Sequence, residues 1–165
     1  MKTQSHTLLK NIFGYDRFRA LQEEIINRTI DGKDSFVLMP TGGGKSMCFQ
    51  IPAMIFNGIT IVVSPLISLM KDQVQALKSN GIKADFFNSS NSPQEENDVI
   101  NRAINNELQL LYLSPEKLIS VSNTWIKQLN IKLVAIDEAH CVSMWGHDFR
   151  PEYTQLKVFR NSLPD

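Results

Sequence analysis

The sequence predicts an α/β fold: a parallel β-sheet with helices on both faces. Short apolar runs rich in β-branched residues alternate with amphipathic stretches, a pattern typical of βαβ units. The runs at residues 61–63 and 133–136 are apolar at every position, as expected for strands covered on both sides. The chain has 165 residues, 42% of them hydrophobic, which is enough for one ordinary domain with its own core.

The alternating pattern places the elements in order along the chain. Strands are expected at residues 35–39, 60–63, 82–87, 108–113 and 133–136. Helices are expected at residues 18–30, 45–56, 68–79, 93–105, 124–129 and 151–160. The polar segment 88–92 predicts a surface loop. Pro52 lies inside the second helix and is expected to remove one hydrogen bond and to kink or shorten that helix.

Charge and composition exclude several classes of protein. Seventeen basic residues balance seventeen acidic ones, whereas a domain that binds nucleic acid on its own is usually basic. We therefore expect only weak DNA binding by this chain alone. Cys48 and Cys141 fit neither a disulfide framework nor a zinc pattern. No apolar run reaches the roughly 20 residues of a membrane span, and no signal peptide is visible, so the expected location is the cytoplasm.

A glycine-rich segment joins the first expected strand to the second expected helix, and it reads Met39-Pro40-Thr41-Gly42-Gly43-Gly44-Lys45-Ser46. This is the context of a phosphate-binding loop. The glycines let backbone N–H groups turn toward phosphate oxygens, and the helix N-terminus adds partial positive charge. Lys45 is expected to reach the β- and γ-phosphates of ATP, and Ser46 to bind Mg²⁺. The strict pattern has glycine where Met39 stands, so the loop departs from it there.

Two acids follow the last expected strand. Asp137 and Glu138 come directly after the apolar run at residues 133–136. Because parallel strands end at one edge of a sheet, these acids and the phosphate loop are expected to converge there. Asp137 is expected to hold Mg²⁺ partly through water. Glu138 is expected to orient or activate the water that attacks ATP.

Five segments together resemble the first motor domain of RecQ-family DNA helicases. The residues after Asp137-Glu138-Ala139-His140 are similar to the aromatic-rich loop of that family, and they run from Cys141 to Tyr153. Residues 137–140 themselves resemble the DEAH form of the second helicase motif, and the other segments are those around residues 13–22, 62–73 and 112–118. The similarity covers residues from about 8 to 163 and implies a RecA-like P-loop NTPase domain.

The resemblance assigns nucleotide and DNA contacts outside the phosphate loop. Gln22 would recognise adenine, because an amide pairs with the N6/N7 edge of that base, and Arg19 lies about one helical turn before it. Ser64 and Ser114 would contact DNA phosphates. Ordinary helix N-capping by both serines remains an open alternative, and the two roles are compatible.

The segment after Asp137 would couple DNA binding to ATP hydrolysis. Trp145 and Phe149 can stack on unpaired bases, and Arg150 can add positive charge. The alternative is that both rings pack in the core. The resemblance implies that His140 and His147 take part in the coupling. Their spacing suits no familiar zinc site.

The resemblance implies one ATP-binding domain over residues 1–165 of an enzyme that moves 3′-to-5′ on DNA and unwinds duplexes. Its third helicase motif and second motor domain would follow Asp165. The chain alone is then expected to lack useful hydrolysis or unwinding. The alternatives are an RNA helicase of the DEAD/DEAH type and a P-loop phosphotransferase. Neither explains the aromatic segment, and the phosphotransferase does not explain Gln22.

Overall fold

The computed structural model describes residues 2–19, 21–34 and 44–137. These residues form two compact units that divide between Asn57 and Gly58. Each unit has its own cluster of buried apolar side chains. The expected strand at residues 35–39 and the expected helix at residues 151–160 lie outside the described residues.

The N-terminal unit is helical in its described part. It contains α1 (Lys2–Leu8), a π-helical turn (Leu9–Phe13), α2 (Gln22–Ile30) and α3 (Met47–Ile55). Leu9 of the π-helical turn, Ile26 of α2 and Ile51 of α3 are buried at its centre. Leu8 of α1 packs against them, so all four elements contribute to one core. The sequence pattern did not anticipate α1 or the π-helical turn.

The start of α2 differs from the expected helix at residues 18–30. Leu21 immediately precedes α2 and has a φ of 70°, in the left-handed region. A right-handed helix cannot run through that conformation, so α2 begins at Gln22 instead of at residue 18.

Helix α3 confirms the expected helix after the phosphate loop, with slightly shorter bounds. Pro52 is buried inside α3, three residues before its end. Proline has no N–H to donate to the carbonyl one turn earlier, so one helical hydrogen bond is lost as expected. The Phe56 N–H donates to the Pro52 carbonyl at 2.9 Å at the end of the helix.

The C-terminal unit contains a four-stranded parallel sheet, as the sequence predicts. Its strands are β1 (Ile59–Val63), β2 (Ala84–Phe87), β3 (Leu110–Leu113) and β4 (Ile131–Ile136), in the spatial order β2-β3-β1-β4. Every residue of β1 and β3 is buried, whereas β4 is only partly buried. The full burial of the two central strands explains why their sequences are apolar at nearly every position.

Helices cover both faces of this sheet. The unit contains α4 (Ile67–Ser79), α5 (Pro93–Ile104), α6 (Pro115–Val121) and a 3₁₀ turn (Trp125–Gln128). Tyr112 of β3 donates a hydrogen bond to Gln73 of α4 at 2.9 Å. Leu111 and Leu113 belong to a core that includes residues of α5 and α6. Neighbouring residues of a strand point to opposite faces, so α4 lies on one face and α5 and α6 on the other.

The shorter helices differ from the sequence-based expectations. The expected helix at residues 124–129 is the 3₁₀ turn Trp125–Gln128, and α6 was not anticipated. Among the described residues, no helix has the length and apolar character needed to cross a membrane.

Candidate nucleotide and nucleic-acid site

The described part of the phosphate loop leads directly into α3. Gly44 has a φ of 79°, which favours glycine because it has no Cβ. The N–H groups of Met47 and Cys48 donate to the carbonyls of Gly44 and Lys45, at 3.3 and 3.0 Å. Lys45 and Ser46 therefore lie in the turn that begins the helix, where partial positive charge favours anions. Thr41, Gly42 and Gly43 lie outside the described residues.

A thiol follows the loop but is not set up as a nucleophile. Cys48 is 7% exposed and unbonded to another cysteine. Burial raises the pKa of the Cys48 thiol to about 11. The reactive form of cysteine is the thiolate, so Cys48 packs as a small apolar residue near neutral pH.

Gln22 is joined to the phosphate loop by a hydrogen bond. Its side-chain Nε2 donates to the Gly44 carbonyl at 3.1 Å, and its Oε1 accepts from the Arg19 backbone N–H at 2.7 Å. The side chain is almost fully buried, with 1% exposure. A Cβ added at Gly44 would overlap the Gln22 amide. The phosphate loop and the segment expected to recognise adenine are therefore in close contact at Gly44 and Gln22.

The two bonds use half of the hydrogen-bonding capacity of the buried Gln22 amide. A glutamine side chain has two N–H donors and an oxygen with two acceptor positions. One donor and one acceptor are used within the protein. The remaining pair matches the N7 acceptor and N6 donor on the edge of adenine. The sequence motif contained no sign that Gly44 would hold this amide.

Polar residues follow all four strands at the carboxyl edge of the parallel sheet: Ser64 after β1, Asn88 after β2, Ser114 after β3 and Asp137 after β4. The Asp137 N–H donates to the Val63 carbonyl at 2.8 Å, which extends the pairing of β1 with β4 by one residue. The geometry thus brings the predicted residues Ser64, Ser114 and Asp137 of the C-terminal unit to one edge, together with Asn88, which was expected only as part of a surface loop. Glu138 and His140 lie outside the described residues.

The two serines have local structural roles. Ser114 Oγ accepts from the Lys117 N–H at 3.3 Å and caps α6, while Ser64 Oγ accepts from the Leu66 N–H at 3.3 Å. Both residues are buried, with 3% and 4% exposure for Ser64 and Ser114. The capping alternative is therefore confirmed for Ser114, and Ser64 forms an equivalent turn ahead of α4.

The loop after β2 is more ordered by hydrogen bonds than its composition suggested. Asn88 is fully buried. Its Oδ1 accepts from the N–H and hydroxyl of Ser90, and its Nδ2 contacts Met70 Sδ at 3.2 Å. Ser89 and Ser90 remain exposed. Asn88 therefore fixes a polar turn at the same sheet edge as Ser64 and Ser114, a feature that the expectation of a surface loop missed.

The aromatic segment contains four more of the predicted site residues. Trp145, His147, Phe149 and Arg150 all lie outside the described residues. Their stacking and coupling roles therefore stay predictions from the sequence.

Comparisons with known proteins identify the family. The family model for DEAD/DEAH box helicases matches residues 19–163. The chain is 53% identical to the ATP-dependent DNA helicase RecQ of Haemophilus influenzae, over 99% of this chain and 27% of that protein. It is 47% identical to the protein of the same name from Bacillus subtilis, over 100% of this chain and 28% of that one.

A solved structure shares the fold. The DUF1998 helicase MrfA bound to DNA and AMPPNP superimposes with a TM-score of 0.70, at 20% identity, over 83% of this chain and 21% of that one. The chain spans about a quarter of the length of the bacterial relatives it matches. It belongs to the DEAD/DEAH box helicase family.

Proposed function

We propose that this chain is the ATP-binding motor portion of a RecQ-like DNA helicase. The whole enzyme would couple ATP hydrolysis to 3′-to-5′ movement on single-stranded DNA and to unwinding of duplexes. The observation that carries the proposal is the Gln22 amide, which Arg19 and Gly44 hold with one donor and one acceptor left for a base. That pair suits adenine once the residues that bury the amide move to admit the base, since Gln22 is 1% exposed. The bond to Gly44 ties base recognition to the phosphate loop.

Residues of the phosphate loop and of the segment that begins at Asp137 are proposed to bind phosphate and Mg²⁺ and to position the attacking water. Residues 41–46 would surround the phosphates, with the Lys45 ammonium balancing their charge. The Ser46 hydroxyl and Asp137 carboxylate are oxygen ligands of the kind Mg²⁺ prefers, and Mg²⁺ would supply charge neutralisation of the β- and γ-phosphates. Glu138 would orient the attacking water, and His140 would link this site to DNA.

The DNA path is proposed at the carboxyl edge of the sheet. The hydroxyls and backbone groups near Ser64 and Ser114 would contact phosphates without reading sequence, while Trp145 and Phe149 would stack on bases beside His147 and Arg150. Relatives named as DNA helicases favour DNA over RNA as the substrate, and the helicase family match does not favour a phosphotransferase. The proposed location is the cytoplasm, at the nucleoid if the cell is bacterial.

A second motor domain is the proposed partner within the longer protein. This chain corresponds to 27% of the Haemophilus influenzae relative. In related phosphoryl-transfer enzymes, an added arginine is worth roughly 10³–10⁵ in rate. We therefore propose that efficient hydrolysis requires such a domain, with DNA binding by this portion alone remaining weak.

Base selectivity in the full-length protein tests the nucleotide assignment. In the Gln22→Ala variant, the affinity for ATP should fall by about tenfold, the value of one or two lost hydrogen bonds. The affinity for inorganic triphosphate should change much less. Calorimetry with ATP, GTP and triphosphate measures all three. Equal binding of ATP and GTP by the unmutated protein would refute adenine recognition, and an ATPase without DNA stimulation would refute the helicase assignment.

A further inference from the structure

The turn that precedes Gln22 adopts an unfavourable backbone conformation. Leu21 has a φ of 70° and a ψ of −18°, although it has a Cβ and is 59% exposed. Such a conformation persists in a non-glycine residue only where surrounding contacts favour it. The Gln22 N–H donates to the Arg19 carbonyl at 3.1 Å, and the Arg19 N–H donates to Gln22 Oε1 at 2.7 Å. These two bonds close the turn around the amide.

His6 contacts one residue before this turn and one residue after it. Its Nε2 lies 2.8 Å from Glu23 Oε1, and its ring meets the Phe18 ring edge-to-face with centroids 4.9 Å apart. Phe18 immediately precedes Arg19, and Glu23 immediately follows Gln22. One side chain therefore connects the two ends of the segment that positions the adenine-facing amide.

The backbone that carries His6 is itself well anchored. Ser5 is fully buried, and Leu9 lies in the core of the N-terminal unit with Ile26 of α2 and Ile51 of α3. Because α1 is fixed to this core, a contact made by His6 restrains the turn relative to α2 and α3. A side chain on a freely moving terminus would have no such effect.

We propose that His6 is a positioning residue for adenine recognition. It contacts Phe18 and Glu23, which flank Arg19 and Gln22 in sequence, so that the Gln22 amide keeps the orientation set by Arg19 and Gly44. The inference rests on the proposed role of Gln22 in binding the base. His6 itself touches neither nucleotide nor phosphate in this scheme, so its effect depends on the base and not on the phosphates.

The effect of His6 on the affinity for ATP should be modest. The ring contact and the hydrogen bond are both partly exposed, with 46% and 48% exposure for the His6 and Glu23 side chains. An exposed pair together with an edge-to-face ring contact corresponds to about a fivefold change in an equilibrium constant. The change should appear in the affinity for ATP and not in the affinity for triphosphate, because only ATP carries adenine.

Three variants of the full-length protein test the proposal by calorimetry with ATP and inorganic triphosphate. His6→Ala should weaken ATP about fivefold and leave triphosphate within about twofold. His6→Gln keeps a donor for Glu23 and should recover part of the lost ATP affinity. Thr7→Ala changes the neighbouring exposed residue of α1 and is the matched control, with unchanged binding of both ligands.

The outcomes separate this proposal from the one on which it rests. Equal loss of ATP and triphosphate affinity in His6→Ala, together with a lower melting temperature, would overturn positioning in favour of a general structural role. No change in either affinity would also overturn it. Absence of recovery in His6→Gln would overturn the role of the bond to Glu23. If Gln22→Ala loses base selectivity and His6→Ala keeps it, then the His6 inference fails and adenine recognition by Gln22 stands. If Gln22→Ala keeps base selectivity, then adenine recognition by Gln22 fails.

Discussion

Buried polar side chains serve different purposes in the two units. In the N-terminal unit, the Gln22 amide bonds to the Gly44 carbonyl, 22 positions away in sequence. In the sheet unit, Ser64 and Ser114 accept from N–H groups only two and three positions ahead. The first kind of bond joins two distant segments, whereas the second ends a strand and starts a helix. Mutations of the first kind should therefore alter ligand binding, and mutations of the second kind should alter stability.

The largest expected effect is at Gly44. A Cβ at this position would both disfavour the φ of 79° and overlap the Gln22 amide. In the full-length protein, Gly44→Ala should weaken ATP about 100-fold, or roughly 2.7 kcal/mol. Titration calorimetry measures this change.

Gly32 supplies a matched control for that substitution. Its φ is 77°, yet nothing lies within 4 Å of a Cβ placed there. Gly32→Ala should therefore introduce the same backbone strain with little loss of ATP affinity. Similar ATP affinities in the two alanine variants would show that the fit between Gly44 and Gln22 has no part in nucleotide binding.

The next effect in size is expected at Ser114. Removing the cap of α6 in Ser114→Ala should lower the free energy of unfolding by about 1 kcal/mol, with little change in ATP affinity. Urea denaturation measures the stability, and Ser114→Thr should retain most of it because threonine also caps helices. Unchanged stability combined with lost DNA binding would instead assign Ser114 to DNA contact alone, and the contrast with Gln22 would disappear.

The smallest effect is a pH dependence at the start of α5. The Ser92 N–H donates to Glu95 Oε1 at 2.8 Å, and the Glu95 N–H donates to Ser92 Oγ at 3.2 Å. Hydrogen bonding by Ser92 lowers the pKa of Glu95 below its ordinary value. The bond from the Ser92 backbone has the largest effect and the bond from the Ser92 side chain the second largest. A lowered carboxyl pKa stabilises the fold above the unfolded-state pKa, and this stabilisation is lost as the pH falls through the folded-state pKa.

Glu95→Gln isolates this contribution, because the amide oxygen can still accept from Ser92 but does not titrate. Urea denaturation at neutral pH and at a series of acidic pH values should show the unmutated protein losing its advantage over Glu95→Gln as the pH falls. A constant difference between the two across the series would contradict the assignment.

The sequence predicted the sheet well because each strand can be recognised from a short stretch of consecutive residues. The stretches that became β1, β3 and β4 are mostly apolar, with Thr60 in β1 and Lys132 in β4 as exceptions. Burial on both faces favours that composition in β1 and β3. The glycine-rich segment was noticeable for a similar reason, since Gly44, Lys45 and Ser46 lie between strand-like and helix-like segments, and its role in phosphate binding stays a prediction. N-capping by Ser114 was an alternative from the sequence although α6 itself was not predicted, and Ser114 followed by Pro115 is a common helix start.

Other features depend on contacts that no local pattern contains. Leu21 gives no sign in sequence that its φ is positive, so the start of α2 was misplaced. Helix α1 has few apolar residues, and its position depends on packing against Ile26 and Ile51. Asn88 looks like a loop residue, yet it is buried against Met70 of α4.

The thiol at Cys48 offers a way to observe motion near the phosphate loop. A buried thiol with a pKa of about 11 reacts with alkylating reagents mainly when the surrounding structure opens. Its labelling rate therefore reports transient local unfolding at the start of α3, as amide hydrogen exchange does for backbone groups. Because Cys48 follows Lys45 by three residues, a ligand that holds the loop closed should slow the labelling in proportion to its occupancy. The Cys48 side chain thus becomes a kinetic probe of the segment proposed to bind the phosphates.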